Sequence, residues 1–230
     1  MGNVNGIISS FNETLINSKL ADVTEDVLES IIDRNIDDGL IKDIPIIGTL
    51  VGIVQTTQNI SNYLFLRKIA AFISKVKDIP PGKRKRVIQA IDDSGKYREK
   101  VGITVLSIID KCDSAEKAEY IAILFREFIK ENIEYECFMY GSHIIQRSYL
   151  EDFKEFVFSD DTWKMTEDAT DEMCLGLYYL DLTINLNEYR REILGYGNNN
   201  LDEIGATITH MGVLLREIFQ EAYDDGLLGE

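Results

Sequence analysis

Apolar residues recur at helical spacing over most of the chain. Between 115 and 130, Ile121, Leu124, Phe125, Phe128 and Ile129 stand at i, i+3, i+4, i+7 and i+8, which gathers them on one face and predicts a core-facing helix. Asp113-Ser114-Ala115-Glu116 supplies a capping arrangement for its start. Phe65, Ile69, Phe72 and Val76 form a second stripe in the latter half of a helical segment from Ile44 to Lys77, opened by Asp43-Ile44-Pro45 and bending near Asn59. Val27, Leu28, Ile31 and Ile32 mark an acidic amphipathic helix over 24–36, with Gly39 as its stop. Ile79-Pro80-Pro81-Gly82 breaks the chain before a basic helix from Lys83 to Asp93; Gly95 punctuates, and an apolar-rich helix runs to Lys111. Two more helices are expected near 134–147 and 149–158.

After the acidic loop Ser159–Thr162 a helix is expected over 167–178, and then the period changes. Leu180, Leu182, Ile184 and Leu186 alternate with polar residues, as in a half-buried strand. Gly195–Asn200 is turn-forming, Ala206–Thr209 reads as a short returning strand, and Met211, Leu214, Leu215, Ile218 and Phe219 begin a closing helix. The expected fold is mainly α: a multi-helix body over 1–158 and a small winged-helix-like α+β unit over 159–230.

Charge divides the chain more sharply than hydrophobicity does. Residues 1–43 carry 3 basic and 9 acidic side chains, residues 44–111 carry 12 and 5, and residues 112–230 carry 9 and 26, within a net charge of -16. The basic middle, with Arg67, Lys68, Lys75, Lys83, Arg84, Lys85 and Arg86 at its centre, suits phosphates, anionic lipid or an acidic protein. An alternative partner is the acidic remainder of this chain or of a neighbouring copy. Overall acidity disfavours nucleic acid as a ligand, and the acidic opening of 167–178 would repel a phosphate backbone.

No residue between Asp43 and Arg67 is charged, and Ile44 to Val54 is almost wholly apolar. A spanning helix needs roughly 20 apolar residues, so the segment is too short to cross a bilayer. Two readings follow. It is a buried central helix, or Ile46, Ile47, Gly48, Leu50, Val51 and Gly52 form a surface that self-associates or inserts obliquely at a membrane, with Gly48 and Gly52 spaced for close helix approach.

Catalytic chemistry has no motif here. His143 and His210 have no cysteine or carboxylate at metal-ligand spacing, and Cys112, Cys137 and Cys174 are too scattered for a zinc ribbon or redox pair. Phosphate loops, dinucleotide fingerprints, nucleophile elbows and His-Glu-xx-His are missing. A non-enzymatic protein without metal, cofactor or small-molecule substrate is expected, although carboxylates gathered by the fold stay open. Without a leader pattern, the expected place is the cytoplasm, or the inner face of the cell membrane as a peripheral protein.

Ile44-Pro45-Ile46-Ile47-Gly48 before a basic amphipathic helix, Lys117-Ala118-Glu119-Tyr120, Ile133–Phe138, Tyr149–Phe153 and Thr207–Gly212 together resemble small helical proteins of bacterial mobile elements. Their order is similar to that of the abortive-infection alpha family, over about residues 40–216. The acidic N-terminal helix and the Asn-rich turn depart from that pattern. The resemblance implies a role in phage defence or mobile-element conflict and carries no catalytic residue. Two modes of action are open: an apolar and basic segment, 44–111, restrained by the acidic C-terminal part, or an acidic inhibitor or adaptor that docks on a basic site of another protein.

Overall fold

The computed structural model describes residues 2–17, 20, 44–57, 59–181 and 205–229; the expected helix at 24–36, the strand positions beyond Asp181 and the turn at 195–200 lie outside them. The fold is mainly α, with one small antiparallel sheet in the C-terminal region. The chain forms two compact units, Met1–Gln146 with Ala222–Glu230, and Arg147–Glu221.

In the larger unit, helices α1 (Gly2–Ile16), α2 (Pro45–Thr57), α3 (Ile60–Val76), α4 (Pro81–Asp92), α5 (Val101–Lys111), α6 (Ala115–Lys130) and α7 (Tyr135–Arg147) follow in order. The expected bend at Asn59 is a break between two helices. Asn59 Oδ1 accepts a hydrogen bond from the Ser61 amide at 2.9 Å and caps α3, satisfying an N–H that the helix itself leaves free. Ser114 caps α6 in the same way, through the Lys117 amide at 3.1 Å. Glu131 ends α6 in the left-handed conformation, with φ of 69°.

Helices α3 and α6 pack along their length, and their stripes interlock. Phe72 meets Phe125 at a ring separation of 5.4 Å, and the run extends to Phe11 at 6.1 Å and to Phe138 at 5.7 Å. Tilted and edge-on rings at these distances add stabilisation beyond the apolar area they bury. Helix α6 is buried well beyond its predicted stripe, and even Lys117 and Arg126 are inside.

The smaller unit contains α8 (Leu150–Phe158), β1 (Trp163–Met165), α9 (Thr170–Leu175), β2 (Tyr178–Asp181), β3 (Gly205–Ile208) and most of α10 (His210–Asp224). Strand β3 lies between the other two, antiparallel to both, with Trp163 opposite Thr207 and Tyr178 opposite Ile208. Against expectation, α8 belongs with the sheet: Phe153 packs edge-on to Phe219 at 5.4 Å, Phe156 packs on Tyr178 at 6.1 Å, and Gln220 Nε2 donates to the Val157 carbonyl at 2.8 Å. The boundary therefore falls at Arg147, before α8, and the last residues from Ala222 belong to the larger unit.

The expected helix over 167–178 is only the six-residue α9, stopped by Gly176 at φ 83°. Thr209 starts α10. Its Oγ1 accepts from the Gly212 amide at 3.0 Å and donates to the Gly176 carbonyl at 2.8 Å. Gly212 permits the close approach this requires, since a Cβ there would stand 2.6 Å from the Leu177 carbonyl oxygen.

Candidate functional site

The apolar residues singled out at 44–52 are core residues. Ile46 and Ile47 are fully buried, and Leu50 and Val51 nearly so. An oblique membrane insertion would have to pull these four side chains out of the helical unit. Gly48 is half-buried and Gly52 exposed, and a Cβ at Gly52 would meet no atom within 4 Å, so the glycine spacing is no helix seam. No described helix is long and apolar enough to cross a membrane.

The basic residues are not a free patch either. An α-helix leaves its last carbonyls without partners and its C-terminus partly negative. Cationic side chains of the middle segment fill that role repeatedly. Lys68 Nζ donates to the carbonyls of Asp110 and Cys112 at 2.6 and 2.9 Å, closing α5. Lys83 Nζ reaches the Lys130 carbonyl at the end of α6 at 3.0 Å. Arg84 is completely buried, donating to the Val76 carbonyl at the end of α3 at 3.1 Å and to Asn17 beyond α1 at 2.6 Å. Burial holds its guanidinium below the usual arginine range, with the Asp78 charge opposing.

Others pair with the acidic stretch that follows. Lys75 meets Glu119 at 3.2 Å, Arg86 pairs with Glu131, and Lys96 pairs with Glu136. Hydrogen bonds from Lys96 and then Tyr97 pull the exposed Glu136 carboxyl down to about 2. At Glu119 burial outweighs Lys75, so that carboxyl is raised. Burial pushes Asp78 up, but the hydrogen bonds and charge of Arg126 more than offset this and leave it lowered. Arg67 is half-buried, while Lys85 stays exposed. Of the seven basic residues singled out, five, Lys68, Lys75, Lys83, Arg84 and Arg86, are taken up by the chain's own acidic side chains and helix ends.

What sequence reasoning missed lies in the smaller unit. A cleft of about 680 Å³ opens between α8 and α9. Tyr149, which caps α8, and Asp152 and Glu155 within it follow one another at three-residue steps and face the cleft; Asp168 and Asp171 do so from the α9 side. Phe153, Phe156 and Leu177, each no more than 2 % exposed, back it with apolar side chains. Lys164 contributes a cation already matched by Glu172 at 3.0 Å, and Arg147 stands on the lining. Among the described residues, no lysine or arginine pairs with Asp152, Glu155, Asp168 or Asp171.

A buried cation, Arg216, lies behind the α8 wall. Arg216 Nε donates to the Phe156 carbonyl at 2.9 Å, Nη1 to the Asp161 carbonyl at 2.7 Å and Nη2 to the Tyr178 hydroxyl at 2.8 Å. Its guanidinium also lies over the Phe156 ring at 4.6 Å. This fixes the end of α8 and the start of the loop to β1 against Tyr178 of β2. The carboxylates line two walls rather than converging: among the described residues, no group of three or more His, Cys, Asp or Glu is placed to hold a metal ion. The signal available beforehand was the three-residue repeat of acids, which as sequence alone is indistinguishable from a solvated helix face.

Compared with known proteins, the chain matches no family model, no curated protein and no solved structure.

Proposed function

We propose that the protein is a non-enzymatic binding protein whose acidic C-terminal unit docks on a basic site of another protein. One observation carries this reading: four carboxylates without a cationic partner face a cleft that also has an apolar backing and an aromatic rim. The opposite arrangement, a basic and apolar segment held in check by the acidic part, is less well supported, because Ile46, Ile47, Leu50 and Val51 are core and Lys68, Lys83 and Arg84 close helix ends. The setting, phage defence or mobile-element conflict, rests on the family resemblance.

Electrostatic complementarity speeds encounter and selects partners, and it weakens as salt is raised. The test is capture by the full-length chain across a salt series, with cross-linked peptides mapped by mass spectrometry. One saturable partner, lost at high salt and cross-linked to residues 147–181, is the expected result. Absence of a saturable partner, or capture indifferent to salt, would overturn the reading.

A further inference from the structure

We infer that the cleft between α8 and α9 is a binding site for an extended, arginine-rich peptide segment. This rests on the docking function proposed above and specifies its ligand. At about 680 Å³ the cleft falls in the range of about 300–1,000 Å³ typical of ligand sites, so it has room for several side chains rather than one ion.

The layout of charge decides the class. Asp152 and Glu155 stand on one wall and Asp168 and Asp171 on the other, in two rows. In an extended chain successive side chains point to opposite sides. Adjacent basic residues of a bound segment therefore send one cation to each row. A compact divalent ion is poorly served by this arrangement, since it needs oxygens converging on one point. The lining carries six carboxylates, these four with Asp161 and Glu172, against the two cations Arg147 and Lys164, of which Lys164 is paired with Glu172, so the cleft keeps a clear excess of negative charge.

The rim favours arginine over lysine. Tyr149 is 70 % exposed beside Asp152, with a ring open to solvent. A guanidinium can lie flat on that ring while its N–H groups meet the carboxylate, whereas an ammonium is a strongly hydrated point charge. Tyr149 also directly precedes α8, whose far end is tied by Arg216, so the platform and the acidic row belong to one rigid element.

The experiment is fluorescence anisotropy of a labelled Gly-Arg-Arg-Gly-Arg-Arg-Gly peptide with the full-length chain at 50 and 300 mM salt. Saturable one-to-one binding that weakens about tenfold across that salt range is expected. The quadruple variant D152N/E155Q/D168N/D171N should weaken binding about tenfold or more. E217Q/E221Q/D224N/D225N, which removes the same charge from α10 and the residue after it, should change it less than about threefold. Y149A should weaken binding about threefold to tenfold and Y149F should restore it; this pair, at an exposed position, keeps the proposal open to refutation if the quadruple variant fails to fold. Equal losses in the two quadruple variants would overturn the site in favour of bulk charge. Tighter binding of spermine, unaffected by Y149A, would overturn the peptide in favour of a small polycation. Failure of the peptide to bind while the protein partner is still captured would remove this inference and leave the docking function standing; failure of capture would remove both.

Discussion

Arg84 provides the sharpest test of how the larger unit is held together. Its sequence neighbourhood, Lys83-Arg84-Lys85-Arg86, reads as a surface run, yet Arg84 is fully buried and Arg86 is exposed beside Glu131. Replacing Arg84 by alanine removes two charge-assisted hydrogen bonds, to the Val76 and Asn17 carbonyls; the Val76 carbonyl keeps the Ile79 amide at 3.3 Å. Such bonds contribute about 1.5–3 kcal/mol each. The burial that lowers the Arg84 pKa opposes them, so the low end applies, giving about 3 kcal/mol. The space left by the alkyl stem adds about 1 kcal/mol, for a total of about 4 kcal/mol. Arg84→Met fills most of that space and should cost about 3 kcal/mol, whereas Arg86→Ala, at an exposed pair, should cost about 0–1 kcal/mol. Urea unfolding followed by far-ultraviolet circular dichroism reads these directly. With a slope of about 2 kcal/mol per molar, R84A moves the midpoint by about 2 M. A midpoint for R84A within the shift seen for R86A would refute the assignment of Arg84 as an internal tie.

Three further outcomes are expected. Cys112 is buried, and burial raises its thiol to about 11, while Cys174 is exposed; alkylation of the native protein should modify Cys174 first and spare Cys112 until the chain is unfolded. Glu136 has its folded pKa depressed, so its contribution to stability is complete above the usual value of 4.5 and is lost as pH falls toward about 2; melting temperatures of E136Q should fall less steeply across that window than those of the unaltered chain, and parallel profiles would refute the pairing with Lys96 and Tyr97. Gly212→Ala should destabilise by about 1–3 kcal/mol because its Cβ meets the Leu177 backbone, and Thr209→Ala by about 1 kcal/mol through loss of the cap; chemical denaturation followed at Trp163, which lies in the same unit, measures both.

Elements with a strong period were legible. The stripe Ile121–Ile129 marks α6, and the capping residues Asn59 and Ser114 lie where the sequence pattern puts a bend and a helix start. Strand β1 was not legible. It has three residues, too few for a period to emerge, and its pairing depends on Gly205–Thr207 some forty residues later. Arg84 was hidden by its type, although Arg84, Val87 and Ile88 share the i, i+3, i+4 face that α4 buries. The Ile44–Val54 segment carried two meanings because burial and membrane contact both ask for apolar residues, and only packing separates them. The cleft depends on the distance between two helices, which no local pattern encodes.

The helix ends that borrow cations from elsewhere bear on where this chain can be cut. Lys68, Lys75, Lys83 and Arg86 find their partners at Asp110, Cys112, Glu119, Lys130 and Glu131. A fragment ending at Lys111 would keep the donors and discard almost all the acceptors, together with Phe125, one of the two aromatic partners of Phe72. Such a piece would expose a basic and apolar surface of its own making. Its attraction to vesicles, nucleic acid or itself would describe the truncation and not the protein, so dissection of function is better done by substitution than by shortening.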